Sequence, residues 1–274
     1  MTIIATTDFS EIAENAVEYA AAYADVCNAQ LIMFNAFSYP VHASNAHLSA
    51  QNFEELFNKN LERLKNKANE LSEKYKVEVI SESSLAYIED ELIALTEKYN
   101  PAMIVMGMVD KSLEQDLIGN TTTSAIKILD VPILAVPLEA KFNTLKKILF
   151  ACDKPQEIPQ HVIEKVKDIA HYLNSEIEIF SVDEKVNQLS EKNSDSLAEN
   201  TIDEHLEGIN YYYKNVESNA VIEEIRKEIK NFNANLLIMA PREYGFWESI
   251  VHRSKTRIMA SGLSIPLLSI PIKN

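Results

Sequence analysis

With 274 residues, 46% of them apolar, the chain is long enough for two domains of ordinary size, each with its own core. A formal charge of −15 and a pI near 4.9 oppose any polyanion, which argues against nucleic-acid binding by bulk electrostatics. No stretch reaches the ~18 apolar residues of a membrane span, and the opening MTIIATTD lacks a basic leader, so a cytoplasmic chain is expected, not held at a membrane.

In chain order, TIIATT reads as a strand and SEIAENAVEYAAAYADVC as a helix. Ser10 is placed to cap that helix, and Ala13, Ala16, Val17, Ala20, Tyr23 and Ala24 form its apolar face. QLIMFNA is a strand, SYPVHASNAHLSA (38–50) an irregular insert, and QNFEELFNKNLERLKNKANELSEKY a helix. VEVISES, IEDELIALTEKY, PAMIVMG, TTSAIKILD and PILAVP continue the alternation as strand, helix, strand, helix and strand. Beyond the connection LEAKFNTLKK (138–147), KKILFAC, SEIEIFSVD, GINYYYKNV, NLLIMAP and PLLSIP are strands. VIEKVKDIAHYL, AVIEEIRKEIKNF and SKTRIMAS are helices, and the acidic stretch 184–207 is a loosely packed helix or a loop. Cys27 lies in a helical pattern and Cys152 ends an apolar run; with no Cys-x-x-Cys spacing, both read as buried thiols.

The two halves repeat one another. IIATTD (3–8) returns as ILFACD (148–153), AMIVMG (102–107) as LLIMAP (236–241), and VPILAVP (131–137) as IPLLSIP (265–271). Pro132 and Pro137 recur as Pro266 and Pro271 at one common offset, and between them Gly119 falls opposite Arg253 and Asn120 opposite Ser254. Alternating strands and helices predict a mostly parallel sheet covered on both faces in each copy. Ligands of such sheets sit beyond the carboxyl ends of the strands, at the switch in strand order. That rim would carry Asp8, Asn35 to Phe37, and Gly107 onward.

These residues resemble the universal stress protein family in its tandem two-domain form. The resemblance rests on TTDFSEIAENAVEYA, PAMIVMG, IGNTTTSAI and VPILAVP. It implies an α/β fold of two doubly wound domains, 1–140 and 145–274, each a five-stranded, mostly parallel, Rossmann-like or flavodoxin-like sheet flanked by helices. ATP-binding members of the family carry Gly-x-x-Gly, nine residues, then Gly-Ser or Gly-Thr, with an Asp after the first strand. Here Gly107 and Gly119 match the outer glycines, Asp8 the acidic residue, and Asn120 stands in the hydroxyl position. Asp110 replaces the middle glycine, and the loop is one residue shorter. Ligand-binding candidates of the first copy are therefore Asp8, Ala36, Gly107, Asp110, Gly119, Asn120 and Thr121. In the second copy Ala240, Glu243 and Arg253 occupy the glycine positions, leaving Asp153, Arg242, Arg253 and Ser254 as candidates. An L-residue forced left-handed costs about 1–2 kcal/mol. A carboxylate ~4 Å from a phosphate adds roughly 1 kcal/mol of repulsion in water and about 4 where screening is weaker.

Each candidate also has a purely structural role open to it. Asp8 is either a ligand contact or an Asx cap, Gly107 and Gly119 are turn residues in either case, and Thr121 to Ser124 form a helix start or a phosphate site. Arg242, His252, Arg253 and Lys255 concentrate positive charge, or else pair with Glu243 and Glu248. His42 and His47 stand five apart in the irregular insert; a metal site there is the minor reading, and no metal ligand is named. No catalytic triad, Walker loop or Gly-x-Gly-x-x-Gly after the first strand is present, so no catalytic residue is named. Two functions remain: a sensor binding ATP or another adenine nucleotide, with Mg carried by the nucleotide, or an interaction protein that has lost the ligand. The resemblance implies pairing through the last strands, and 131–137 and 265–271 are apolar enough to bury such an edge, so an internal pseudo-twofold dimer is expected, with a further homodimer open.

Overall fold

The apolar runs become strands and the 3.6-residue patterns become helices in the computed structural model. It describes residues 1–37, 50–85, 87–108, 120–142, 145–152, 154–183, 201–240 and 263–272. The first half runs β1 (Thr2–Thr6), α1 (Glu11–Cys27), β2 (Gln30–Ala36), α2 (Ala50–Tyr75), β3 (Val79–Ser84), α3 (Ile88–Tyr99), β4 (Met103–Met108), α4 (Asn120–Ile128) and β5 (Ile133–Pro137). The second runs β6 (Lys147–Ala151), a short 3-10 turn (Pro155–Glu157), α5 (Gln160–Leu173), β7 (Glu176–Asp183), α6 (Thr201–His205), β8 (Tyr211–Glu217), α7 (Val221–Phe232), β9 (Leu236–Met239) and β10 (Leu267–Ser269).

Among the described residues these strands form one ten-stranded sheet in the order β3-β2-β1-β4-β5-β10-β9-β6-β7-β8. Every pair is parallel except β5 with β10, where Leu267, Leu268 and Ser269 face Ala135, Leu134 and Ile133 in antiparallel register. The two halves are thus tandem α/β units of one topology, joined along the strands expected to meet. Central strands are buried on both faces, as parallel strands between helix layers must be, whereas the outer strands β3 and β8 are only partly covered.

One apolar cluster packs α1, α2, α5 and α6 on one face of the sheet, and a second packs α3, α4 and α7 on the other. Ser10 caps α1 by accepting from the Ala13 N–H at 3.3 Å, as its position predicts. Helices α1, α3, α5 and α7 each end on an asparagine, Asn28, Asn100, Asn174 and Asn233, with φ of 50°, 42°, 49° and 55°. With only 5 glycines in the chain, Asn takes the left-handed capping position that Gly ordinarily fills.

Two expectations need correction. Cys152 is not fully buried, because it lies just past the end of β6 where the chain leaves the sheet; Cys27 is buried. Within the acidic stretch 184–207 the described part begins with helix α6. The helix expected over SKTRIMAS lies outside the described residues.

Candidate functional site

The strand order places the first half's switch point between β1 and β4, since the chain leaves β1 for β2 and β3 on one side and crosses to β4 and β5 on the other. Asp8 follows β1, Ala36 ends β2, Gly107 lies near the end of β4, and Thr121 is in the first turn of α4. The carboxyl ends of these strands therefore bring Asp8, Ala36 and Gly107 to one rim, with Asn120 opening the helix that follows.

Two short side-chain bonds build the turn after β1. Thr7 Oγ1 accepts from the Phe9 N–H at 2.9 Å, and Asp8 Oδ1 accepts from the Ser10 N–H at 2.9 Å. Between them Phe9 is held at φ 62°, a left-handed conformation costing about 1–2 kcal/mol for a residue with a side chain. The Asx role proposed for Asp8 is therefore present in the structure, and the residue stays exposed at the rim. Arg63 of α2 stacks its guanidinium 4.1 Å from the centre of the Phe9 ring. Behind the turn, buried Asn35 donates from Nδ2 to the Thr7 carbonyl at 2.7 Å and accepts from Asn60 Nδ2 at 2.7 Å. Ala36, half-buried, pairs with Ser84 of β3.

Gly107 is not a turn residue. It is a strand residue paired with Val136, and its φ lies outside the left-handed region. What requires glycine there is the approach of α1: a Cβ on Gly107 would lie 2.7 Å from Ile12 Cγ2 and 3.3 Å from two backbone atoms of Ile12 and Ala13. The Gly107 carbonyl accepts from buried Thr122 Oγ1 at 3.1 Å, which ties the start of α4 to β4. Thr122, rather than its half-buried neighbour Thr121, is the hydroxyl turned inward from the run 121–124.

Asp110, Gly119, Asp153, Arg242, Arg253 and Ser254 lie outside the described residues, as do His42, His47, His252 and Lys255. In the second half Ala240 packs partly buried where the first half has Gly107. Sequence reasoning missed Asn60 and Arg63. Nothing distinguishes them from the other polar positions of α2 until the fold lays that helix beside β1 and β2. Asn35 carried a signal, as the lone polar residue near the end of an apolar strand. Among the described residues no group of three His, Cys, Asp or Glu gathers to hold a metal, and no helix is long and apolar enough to cross a membrane.

Comparison with known proteins agrees with this architecture. No curated protein matches the sequence. Among solved structures, a universal stress protein from Archaeoglobus fulgidus DSM 4304 aligns over 100% of this chain and 97% of its own, at 17% identity and a TM-score of 0.71. A protein of unknown function from Pseudomonas aeruginosa PAO1 aligns over 99% of this chain and 92% of its own, at 12% identity and a TM-score of 0.61. A structure described as a universal stress protein in complex with cAMP covers 50% of this chain and 96% of its own, at 21% identity and a TM-score of 0.40. The model of the universal stress protein family matches residues 1–137, which is half of the sequence. The chain belongs to the universal stress protein family.

Proposed function

We propose that this stress protein consists of two units, 1–140 and 145–274, and that the first binds an adenine nucleotide weakly in a sensory or regulatory role rather than a catalytic one. The observation that carries this reading is the convergence of Asp8, Ala36 and Gly107 on the carboxyl ends of β1, β2 and β4 around the switch point. The start of α4 adds a helix N-terminus, which favours an anion by about 0.3–1 kcal/mol. Asp110 works against the phosphates. A divalent cation bridging Asp8 or Asp110 to phosphate oxygens would offset that repulsion, because hard cations accept both donor types. Exposed Asp8 suits this arrangement, with the nucleotide supplying the remaining ligands.

A second reading is an interaction protein that has kept the fold without the ligand. The geometry favouring it is specific: Asp8 already caps the turn through Ser10, and Gly107 already serves helix packing. Calorimetric titration of ATP, with and without magnesium, separates the two readings. Weak binding is expected for the wild type, and removing one like charge by Asp110→Gly should tighten it by roughly tenfold or more. No heat for either protein under any condition would leave the interaction reading standing.

In the second unit, where the glycines are replaced, any anion would be held by charge through Arg242, Arg253 and Lys255. Inorganic triphosphate binding there should weaken in Arg253→Ala and with added salt. Identical affinities for the variant and the wild type would remove this patch from the reading.

A further inference from the structure

On the sheet face covered by α7, a carboxylate is buried beside the apolar cluster of that face. Glu178 of β7 lies between Leu149 of β6 and Tyr212 of β8 and is 8% exposed. Facing it from α7 is Glu228, 4% exposed. Glu178 Oε1 is buried with no hydrogen-bond donor, and two ionised carboxylates have no proton to place between them.

The cations nearby do not neutralise both acids. Lys214 of β8 donates to Glu228 Oε2 at 2.5 Å. Lys147 of β6 is 3.2 Å from Glu176, which also accepts from the Tyr212 hydroxyl at 2.9 Å. On α7, Lys227 pairs with Glu224 at 2.8 Å, and Arg226 is drawn to Glu223. Lys214 and, less strongly, Lys147 draw the Glu178 carboxyl down, but burial and the charge of Glu228 outweigh them.

We propose that Glu178 retains a proton which it shares with Glu228, and that this proton clamps α7 to the sheet, so that the helix is held tightly in acid and loosens towards neutral pH. Burial first, and then the charge of Glu228, push the Glu178 carboxyl up from 4.5 to about 7. With α7 lifted the group returns to its ordinary range. The docked helix therefore binds one more proton than the open one between those values. Its added stability is complete below about pH 4.5 and is lost as the pH rises through about 7.

At the corresponding positions of the first half stand two buried apolar residues, Ile32 of β2 and Leu95 of α3, so α3 provides an internal reference. Hydrogen exchange of the full chain, corrected for intrinsic rates, tests the difference. Between about pH 5 and about pH 7.5, opening of residues 221–232 should increase by on the order of tenfold or more relative to residues 88–99. Glu178→Gln, whose amide donates as the protonated acid does, should make that ratio independent of pH. Glu228→Gln should reduce the slope by removing the opposing charge, leaving the part due to burial. A wild-type ratio that is flat with pH, or a slope that survives Glu178→Gln, overturns the proposal. Carbon-detected titration of Glu178 gives a direct check: a midpoint near 7 supports the shared proton, and one near 4.5 eliminates it.

Discussion

Asn15→Leu should lower the stability of the protein by about 2–4 kcal/mol, seen in urea unfolding as a fall in midpoint with little change in slope. Asn15 is a buried polar residue on α1, 6% exposed, and its Nδ2 donates to the carbonyls of Pro137 and Ala140 at 2.9 Å each. Its Oδ1 accepts from Lys141 Nζ at 2.5 Å. One side chain thereby fixes the end of β5 and the start of the connection to β6. Pro137 keeps a second donor, the Ala140 N–H at 3.1 Å, so the larger loss falls on the Ala140 carbonyl and on Lys141. Asn15→Asp separates bonding from volume. It preserves the shape and the Lys141 contact but aims a lone pair at two carbonyl oxygens, so it should destabilise as much as leucine at neutral pH. A change within about 0.5 kcal/mol, ordinary for a surface substitution, would mean that these carbonyls find other donors.

Gly107→Val is expected to be comparably severe, with Gly107→Ala milder at about 1–3 kcal/mol, the usual range for overpacking. The alanine methyl meets one movable atom, Ile12 Cγ2 at 2.7 Å, and two backbone atoms at 3.3 Å that move only with α1. Ile12→Ala should therefore recover part of the loss caused by Gly107→Ala, giving a coupling of about 0.5–3 kcal/mol in a double-mutant cycle. Strict additivity would show that Ile12 is not the obstacle. The same alanine variant bears on the nucleotide: any loss of ATP affinity that disappears in the double variant belongs to the packing of α1 and not to a contact between backbone and phosphate.

Regular structure was largely legible because it depends on periodicity and local caps. QLIMFNA became β2 and IEDELIALTEKY became α3 residue for residue, and Ser10 caps α1 where its position predicts. The pairing of β5 with β10 was expected too, because the family resemblance implies pairing through the last strands and both are apolar enough to bury an edge. What failed were inferences from single residues to roles. Gly107 reads as a turn glycine, yet the demand on it comes from Ile12, far away in sequence, and no local pattern reports that approach. The contacts of Arg63 with Phe9 and of Asn60 with Asn35 are tertiary in the same sense. The αL asparagines were legible in principle, since each follows the last residue of an apolar helical pattern, and a chain poor in glycine must end its helices on something else.

The antiparallel contact of β5 with β10 involves three residue pairs, and the covalent connection between the halves adds to it. A tether of a few residues turns association into an intramolecular event with an effective concentration in the millimolar range, at any dilution of the protein. Cleavage of the connection would expose the two halves to ordinary bimolecular dissociation. The tether also releases a constraint. In a twofold dimer of identical chains every substitution is made twice, at symmetry-related positions. In a tandem chain the two rims vary one at a time, so Gly107 can stand at the end of β4 while Ala240 follows β9 within the same continuous sheet.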